Sequence, residues 1–347
     1  MFAVIDCGTT NTTIFILSDD SELIAQGTKK IGVRDTSITG SRQALKNGVE
    51  QLYFMILKEH GIDNTKIKFA IASGMITSEI GLIEIPHLVA PCGLKELSDH
   101  IEVVKDPKVL DIGVPIYFIR GVRNNYGEDA TAHKIRQVDF MRGEEVQCMG
   151  ILEELKPQLP VNIVVLSSHT KLIHMDKEGK IRSCLTTMSG QIFEALKTAT
   201  NVGKSIVDCQ GGEEAGGYSF EEIVAIAKDC AENAGFIRTM LMPRFMQVLL
   251  KTNSEERTLF VDAAIAVDDM KAFMDFNNQG YKTSKYILFG HRLRCKLYTY
   301  LIKQYLGSDV EVESIYDEQA IADMTIKGVI ITAKNILKHY KPEKGRN

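Results

Sequence analysis

A polar turn with an aspartate at its start lies close to the N-terminus. Residues 6–13 read Asp-Cys-Gly-Thr-Thr-Asn-Thr-Thr and lie between two short apolar segments. A glycine permits a tight turn, and the hydroxyl, amide and backbone N–H groups of such a turn can donate to phosphate oxygens. The residues predicted to contact phosphate are Gly8, Thr9, Thr10, Asn11 and Thr12. An ordinary polar hairpin would have the same composition, because these residue types are common in turns.

Asp6 ends the first apolar segment, directly before this turn. Its carboxylate could hold a hydrated Mg²⁺, because Mg²⁺ prefers oxygen ligands and keeps several of its waters. The sequence therefore predicts a metal-binding role for Asp6.

A second reactive string, Arg-Gly-Glu-Glu at residues 142–145, precedes a helical pattern. Two carboxylates in a first helical turn can simply complement the helix dipole. The neighbouring Arg142 suits a substrate carboxylate, because a guanidinium binds carboxylates through two parallel hydrogen bonds. Gly74, Met75 and Ser78 follow a predicted strand end, where ligands bind in open α/β sheets, and we expect them to contact the same substrate.

The elements that must position these residues occur in a repeated order. Strands predicted at residues 2–5, 12–17 and 23–28 are followed by a helix; a second set is predicted at residues 161–166, 171–175 and 181–187. Such duplication predicts two similar α/β lobes with mixed sheets. Helices are further predicted at residues 220–250, 255–276 (behind Ser254 as a cap) and 317–337.

The predicted domains are residues 1–158 and 159–347, joined at a hinge near residues 157–160. In the family that this chain resembles, described below, the first domain binds the substrate acid and the second the nucleotide base. The helical segment 317–340 could pack back on the first domain.

The composition excludes several classes of protein. Of 347 residues, 44% are hydrophobic and 25% charged, as in ordinary globular proteins, and the net charge is −4. This charge balance argues against a nucleic-acid partner, and no apolar run is long enough to cross a membrane. The seven cysteines form no C-x-x-C pair, which predicts reduced thiols and a cytoplasmic protein. A homodimer is left open.

Several motifs resemble one family, the 2-dehydro-3-deoxygalactonokinases of the actin, sugar-kinase and heat-shock ATPase superfamily. They keep their order over residues 1–340, and the most distinctive is the Met-Arg-Gly-Glu-Glu-Val-Gln string. The motifs are Gly74-Met75-Ile76-Thr77-Ser78, Phe140-Met141-Arg142-Gly143-Glu144-Glu145-Val146-Gln147, His169-Thr170-Lys171 and Met188-Ser189-Gly190.

The resemblance implies two duplicated ribonuclease H-like lobes, with mixed five-stranded sheets and flanking helices, around an ATP cleft. It implies ATP and Mg²⁺ as cofactors and transfer of the γ-phosphoryl group to the C6 hydroxyl of 2-dehydro-3-deoxy-D-galactonate, a sugar acid of galactonate catabolism. It also implies that the catalytic base is an acidic residue at a helix start, which here is Glu144, with Glu145 second.

Two further nucleotide contacts follow from the resemblance. Ser168, His169 and Lys171 match a second phosphate hairpin, which here is one residue shorter and lacks the family's glycine. Gly290 matches the adenosine motif, although His291 and Arg292 follow it where relatives have a small residue. We expect Gly290→Val to weaken ATP binding and leave the fold intact.

Two alternative functions remain open on the sequence alone. The departures in the second hairpin and after Gly290 would suit a kinase of a different sugar or hydroxy acid. They would also suit a catalytically weak, nucleotide-binding regulatory protein of the same fold.

Overall fold

The computed structural model describes residues 1–128, 130–207 and 217–340 of the chain. The chain divides into two compact units. The first comprises residues 1–159, 175–184 and the segment from 322 onward, and the second comprises residues 160–174 and 185–321. Two parts of the predicted second domain, residues 208–216 and 341–347, lie outside the described residues.

Short strands alternate with helices along most of the chain. The strands are β1 (Phe2–Cys7), β2 (Thr12–Leu17), β3 (Leu23–Lys29), β4 (Ala70–Gly74), β5 (Leu88–Val89), β6 (Glu102–Val104), β7 (Ile116–Phe118), β8 (Val122–Arg123), β9 (Phe140–Met141), β10 (Val161–Leu166), β11 (Thr170–Met175), β12 (Ile181–Thr187), β13 (Lys285–Gly290) and β14 (Glu311–Ile315). The helices are α1 (Val33–Thr39), α2 (Gln43–Glu59), α3 (Leu94–Asp99), α4 (Glu144–Leu155), α5 (Ser189–Ala199), α6 (Gly203–Ile206), α7 (Phe220–Asn233), α8 (Phe236–Val248), α9 (Ser254–Phe276), α10 (Arg292–Leu306), α11 (Glu318–Thr332) and α12 (Lys334–Tyr340). None of the helices within these described ranges is long and apolar enough to span a membrane.

The first unit contains a six-stranded mixed sheet in the order β3-β2-β1-β4-β7-β6. β1 pairs antiparallel with β2 and parallel with β4. Both β1 and β4 are almost entirely buried, as expected for parallel neighbours that are covered on both faces. The sheet exceeds the predicted five strands because β6 adds to its edge, antiparallel to β7. A small three-stranded sheet has the order β5-β8-β9, and its last strand, β9, directly precedes α4 along the chain.

The second sheet has five strands in the order β12-β11-β10-β13-β14, with β10, β13 and β14 parallel. On one side its buried residues join those of α7, α9 and α10 in a continuous apolar core. The predicted duplicated α/β architecture is confirmed.

Some predicted helix bounds are wrong. The 220–250 pattern forms two helices because the chain turns at Gly235, whose φ of 83° favours glycine. The cap of α9 is Asn253 and not Ser254, since the Asn253 side chain accepts a hydrogen bond from the amide of Glu256. The 317–337 pattern divides into α11 and α12.

Candidate functional site

The first polar turn, residues 8–11, is fixed by backbone hydrogen bonds. The amide of Gly8 donates to the carbonyl oxygen of Asn11 at 2.8 Å. The carbonyl oxygens of Gly8 and Thr9 accept from the first amides of α1, at 3.3 and 2.9 Å. Thr9 and Thr10 are half-buried and Asn11 is exposed, so a ligand can reach the turn.

Two neighbours of this turn support the backbone. Thr12 is buried and its hydroxyl donates to the carbonyl oxygen of Ile31 at 2.8 Å, so this hydroxyl is already used by the fold. A Cβ on Gly32 would lie 2.4 Å from the carbonyl oxygen of Thr9, which only glycine avoids. Sequence analysis missed Gly32, because the turn it packs against is distant along the chain.

Parallel pairing of β1 with β4 brings Asp6 and the turn at residues 74–78 to one edge of the sheet. The register pairs Asp6 with Ser73 and Cys7 with Gly74. A Cβ on Gly74 would lie 2.5 Å from the carbonyl oxygen of Cys7 and 3.3 Å from Asp6 Oδ1, and the residue has a φ of 86°. Gly74 is therefore required both by its conformation and by this close approach.

Hydroxyl groups hold the backbone of the 74–78 turn. Thr77 Oγ1 donates to the carbonyl oxygen of Gly74 at 3.2 Å, and Ser78 Oγ donates to that of Met75 at 2.7 Å. Ser78 is buried and Met75 is half-buried. The predicted substrate contacts of Met75 and Ser78 stay predictions, and the Ser78 hydroxyl has a structural partner.

Arg142 braces the same turn. Its guanidinium is buried, with Nη1 donating to Thr77 Oγ1 and Nη2 to the carbonyl oxygen of Ile85, each at 2.8 Å. Burial lowers the pKa of Arg142, and the charge of Glu145 opposes that shift. Each terminal nitrogen donates one hydrogen bond to the protein, so part of the guanidinium already holds this turn, and the predicted contact of Arg142 with a substrate carboxylate stays a prediction.

The helix that carries the two glutamates begins against Gly74. Gly143, with a φ of 110°, precedes α4, and a Cβ on it would lie 3.2 Å from the Cα of Gly74. This contact places Glu144 near Asp6. Burial, and after it the charge of Glu144, raises the pKa of Asp6 to about 6.

Glu145 is fully buried and caps its own helix. Its two carboxylate oxygens lie 2.9 and 2.8 Å from the amide nitrogen of Gly143, which donates to them. Burial, and then the charge of Glu144, raises the pKa of Glu145 to about 8. Because Glu145 has no exposed surface and Glu144 is half-buried, the geometry favours Glu144 as the group that a ligand can reach.

Three buried polar atoms next to this helix start lack hydrogen-bond partners. They are Arg142 Nε, Glu144 Oε2 and Gln147 Oε1. Buried polar groups in folded proteins nearly always have a partner, so a cluster of unpaired ones indicates where a ligand or water binds. Sequence analysis did not select Gln147, although it ends the distinctive string at residues 140–147.

Asp6, with the charge of Glu144 nearby, suits a hydrated divalent cation. A cation would relieve the repulsion between the carboxylates, because opposite charge favours their ionised forms. Within the described ranges, histidine, cysteine, aspartate and glutamate form no group of three or more that could hold a metal. A cation bound here would therefore keep part of its water shell, as Mg²⁺ does.

The second polar turn begins at the end of β10, beside the glycine that ends β13. The register pairs Leu166 with Gly290. Ser168 Oγ lies 3.4 Å from Nδ1 of His169, and both residues are half-buried. Lys171 is buried, and its Nζ donates to Thr186 Oγ1 at 2.8 Å. The predicted phosphate and adenosine contacts of this unit therefore meet at one edge of the sheet.

Glycines allow close backbone approaches here as well. A Cβ on Gly190 would lie 2.4 Å from the carbonyl oxygen of Ser167. A Cβ on Gly290 would lie 2.5 Å from the carbonyl oxygen of Leu166. The expectation that Gly290→Val spares the fold is therefore wrong, because any side chain would collide with the adjacent strand.

Comparison with known proteins agrees with this architecture. The profile of a family described as 2-keto-3-deoxy-galactonokinase matches residues 6–326. No curated protein matches the sequence significantly. A solved structure of a candidate 2-dehydro-3-deoxygalactonokinase from Sinorhizobium meliloti is similar over 100% of both chains, with a TM-score of 0.74 and 16% identity.

More distant similarity extends to other solved structures. A glucokinase of the ROK family from Streptomyces griseus, in complex with glucose and AMPPNP, has a TM-score of 0.44 and 12% identity over 97% of this chain and 99% of that one. The activator of 2-hydroxyisocaproyl-CoA dehydratase from Clostridium difficile, with bound ADPNP, has a TM-score of 0.45 and 12% identity over 99% of both chains.

Proposed function

We propose that Glu144 is the catalytic base of this protein and that Asp6 holds its Mg²⁺. The chain belongs to the 2-keto-3-deoxy-galactonokinase family and is a phosphotransferase that acts on 2-keto-3-deoxy-galactonate. The observation that carries the proposal is the cluster at the end of β1 and β4. There Asp6, the Gly74 turn and the start of α4 meet, and Glu144 Oε2 is buried without a partner.

The proposed step transfers the γ-phosphoryl group of ATP to the C6 hydroxyl of 2-dehydro-3-deoxy-D-galactonate. The hydroxyl oxygen forms a bond to the γ-phosphorus, and the bond from that phosphorus to the bridging oxygen breaks, with its electron pair leaving on ADP. Glu144 Oε2 accepts the hydroxyl proton, in the role that a positioned carboxylate has in general base catalysis. Bound Mg²⁺ would neutralise developing charge on the phosphate oxygens.

In the first unit, Asp6 is the residue that would hold Mg²⁺, through its carboxylate or through bound water. The turn formed by Gly8, Thr9, Thr10 and Asn11 would donate to phosphate oxygens. For Thr12, only the backbone could take part, because its hydroxyl donates to Ile31.

In the second unit, we assign Ser168, His169 and Lys171 to the nucleotide phosphates and Gly290 to the adenosine. Ser168 and His169 follow the end of β10, Lys171 lies at the start of β11, and Gly290 ends β13 beside Leu166, which supports this assignment. A buried lysine at such an edge provides positive charge for phosphate oxygens.

For the sugar acid, the proposed contacts are the 74–78 turn and Arg142 Nε. That nitrogen is buried and has no hydrogen-bond partner in the protein. A single charged donor there would contact one oxygen of the substrate, while the terminal nitrogens keep the turn in place.

The substrate class is tested by measuring ADP release from ATP and Mg²⁺ with a panel of acids. The panel contains 2-dehydro-3-deoxy-D-galactonate, its C4 epimer and D-galactonate. We expect the highest kcat/KM with the first. A higher value with another acid would assign a different sugar-acid kinase, and ATP binding by calorimetry without turnover on any acid would indicate a regulatory protein.

A further inference from the structure

A buried polar network in the second unit surrounds the carboxylate of Asp269, at the middle of the apolar helix α9. Asp269 is only 4% exposed. The hydroxyl of Ser189 lies 2.7 and 2.6 Å from its two oxygens, and the hydroxyl of Tyr298 donates to Oδ2 at 2.5 Å. A carboxylate placed among apolar residues lowers stability unless it is hydrogen-bonded, and here these hydroxyl groups supply the hydrogen bonds.

One arm of the network leads through Ser189 to the second polar turn. Ser189 begins α5, and the next two residues of that helix contact the turn directly. Gly190 packs against the carbonyl oxygen of Ser167, and the amide of Gln191 donates to the carbonyl oxygen of Ser168 at 2.9 Å.

The other arm leads through Tyr298, which is fully buried. Its hydroxyl lies 3.3 Å from Thr170 Oγ1 and accepts from Arg294 Nη2 at 3.2 Å. Arg294 Nη1 in turn donates to the carbonyl oxygen of Ser167 at 2.9 Å, and Arg294 Nε lies 3.5 Å from Asp262 Oδ1.

Both arms therefore end on carbonyl oxygens of residues 167 and 168. A peptide unit is planar and trans, so fixing a carbonyl oxygen also fixes the N–H group of the following residue on the opposite side. The N–H groups whose direction is set in this way are those of Ser168 and His169. The N–H of Ser168 donates to Ser167 Oγ at 2.6 Å, which fixes the turn further, and the N–H of His169 is a donor that a phosphate-binding turn would present.

We propose that Asp269 is a positioning residue that orients the 167–169 turn for the nucleotide phosphates, acting through Ser189 on one side and through Tyr298 and Arg294 on the other. The proposal rests on the function assigned to that turn above. It predicts that weakening the network lowers affinity for ATP and leaves the binding of the sugar acid unchanged.

The test is steady-state kinetics of the full chain with Asp269→Asn, which keeps the size of the side chain and removes its charge. Asp268→Asn is the matched control, because Asp268 is the neighbouring acid on α9 and its side chain is 47% exposed and paired with Lys271. We expect the KM for ATP to rise about tenfold in Asp269→Asn, in line with the loss of hydrogen bonds to a charged group. The KM for the acid should stay within about twofold, and the control should match the parent.

Tyr298→Phe is the second variant, because it removes only the hydroxyl and keeps the ring in the core. It should raise the KM for ATP by a smaller factor than Asp269→Asn does. If Asp269→Asn does not fold, the KM of Tyr298→Phe for ATP tests the positioning role in its place. Folded variants with the parental KM for ATP, or with equal rises in both KM values, would overturn the proposal. If the parent chain turns over no acid, the function proposed above fails, and the dissociation constant for ATP measured by calorimetry then tests the positioning role on the same criteria.

Discussion

In both units a polar turn joins two antiparallel strands, and a parallel strand beside the first one ends at a glycine. In the first unit Cys7 is paired with Gly74, and in the second Leu166 is paired with Gly290. A Cβ on either glycine would lie 2.5 Å from the carbonyl oxygen of its paired residue. A later glycine packs on each turn in the same way, with a Cβ 2.4 Å from the carbonyl oxygen of Thr9 or Ser167.

We call each of these arrangements a corner: the first comprises residues 6–11 and Gly74, and the second comprises residues 166–169 and Gly290. The side chains at the two corners differ in charge. The first corner has acidic groups, because Asp6 and Glu144 meet there. The second has Lys171 at its turn, and its buried acid Asp269 is bonded to hydroxyl groups behind the turn. One backbone arrangement therefore carries different side-chain chemistry in the two units. By the roles proposed above, both turns would bind phosphate, and only the first unit would add the proton and metal chemistry.

The largest effect on kcat is predicted for a substitution that removes the carboxylate of Asp6 from the first corner. Asp6→Asn should lower kcat by at least about 100-fold, because metal stabilisation of transition-state charge contributes several kcal/mol. Raising the Mg²⁺ concentration should restore part of the activity. Asp19→Asn, a substitution in an exposed ion pair of the same unit, serves as the control and should leave kcat unchanged. An Asp6→Asn enzyme with the parental kcat and Mg²⁺ dependence would remove Asp6 from the chemistry.

The next prediction tests whether the two corners share one backbone requirement. Gly74→Ala and Gly290→Ala should each lower the free energy of unfolding by about 1–3 kcal/mol, because the added methyl group overpacks a backbone contact. Gly217→Ala is the control, since a Cβ there meets no atom within 4 Å. Urea unfolding would measure all three, and an unchanged midpoint in either corner variant would show that the corners are not equivalent.

Arg142→Lys should have a smaller effect, confined to the first corner. A lysine cannot make both terminal-nitrogen hydrogen bonds, so the 74–78 turn should loosen. We expect the KM for the sugar acid to rise about tenfold, as the loss of a charged hydrogen bond predicts. A rise in the KM for ATP instead would place Arg142 with the nucleotide.

A further prediction concerns the pH dependence of stability. The pKa of Glu145 is about 8 in the folded chain, against an ordinary value of 4.5. The folded state then binds more protons than the unfolded state between these values, so stability should fall as pH rises through that window. Glu145→Gln should remove this fall, which for a pKa difference of this size is on the order of a few kcal/mol between pH 5 and pH 8. Equal pH slopes in the variant and the parent, measured by urea unfolding at pH 5 and pH 8, would contradict this.

Local sequence patterns were enough to predict both turns and the strands on either side of them, but not the short strands β5, β6, β8 and β9 or the edge strand β14. The β-branched runs at residues 12–17 and 161–166 and the polar residues between strands define these elements without long-range information. The family resemblance added the expected reaction and directed attention to Glu144.

The parts that could not be predicted depend on contacts between distant segments. Gly32 and Asp269 gain their roles only when folding brings them to a turn elsewhere in the chain. The guanidinium of Arg142 looked available for a substrate because its partners, Thr77 and Ile85, are far away in sequence. Residue types and spacing show which groups could react, and only the fold shows which are already bonded.

Activation of the acceptor hydroxyl by Glu144 is tested by the kcat of Glu144→Gln together with its affinity for ATP. We predict a kcat lower by roughly 10²–10⁴-fold, the usual effect of removing a general base, with the dissociation constant for ATP unchanged. Glu153→Gln, an exposed position on the same helix, is the matched control and should behave like the parent. A Glu144→Gln enzyme within a few-fold of the parental kcat, beside an inactive Glu145→Gln enzyme that still folds, would move the role to Glu145. Full activity in both would contradict the account.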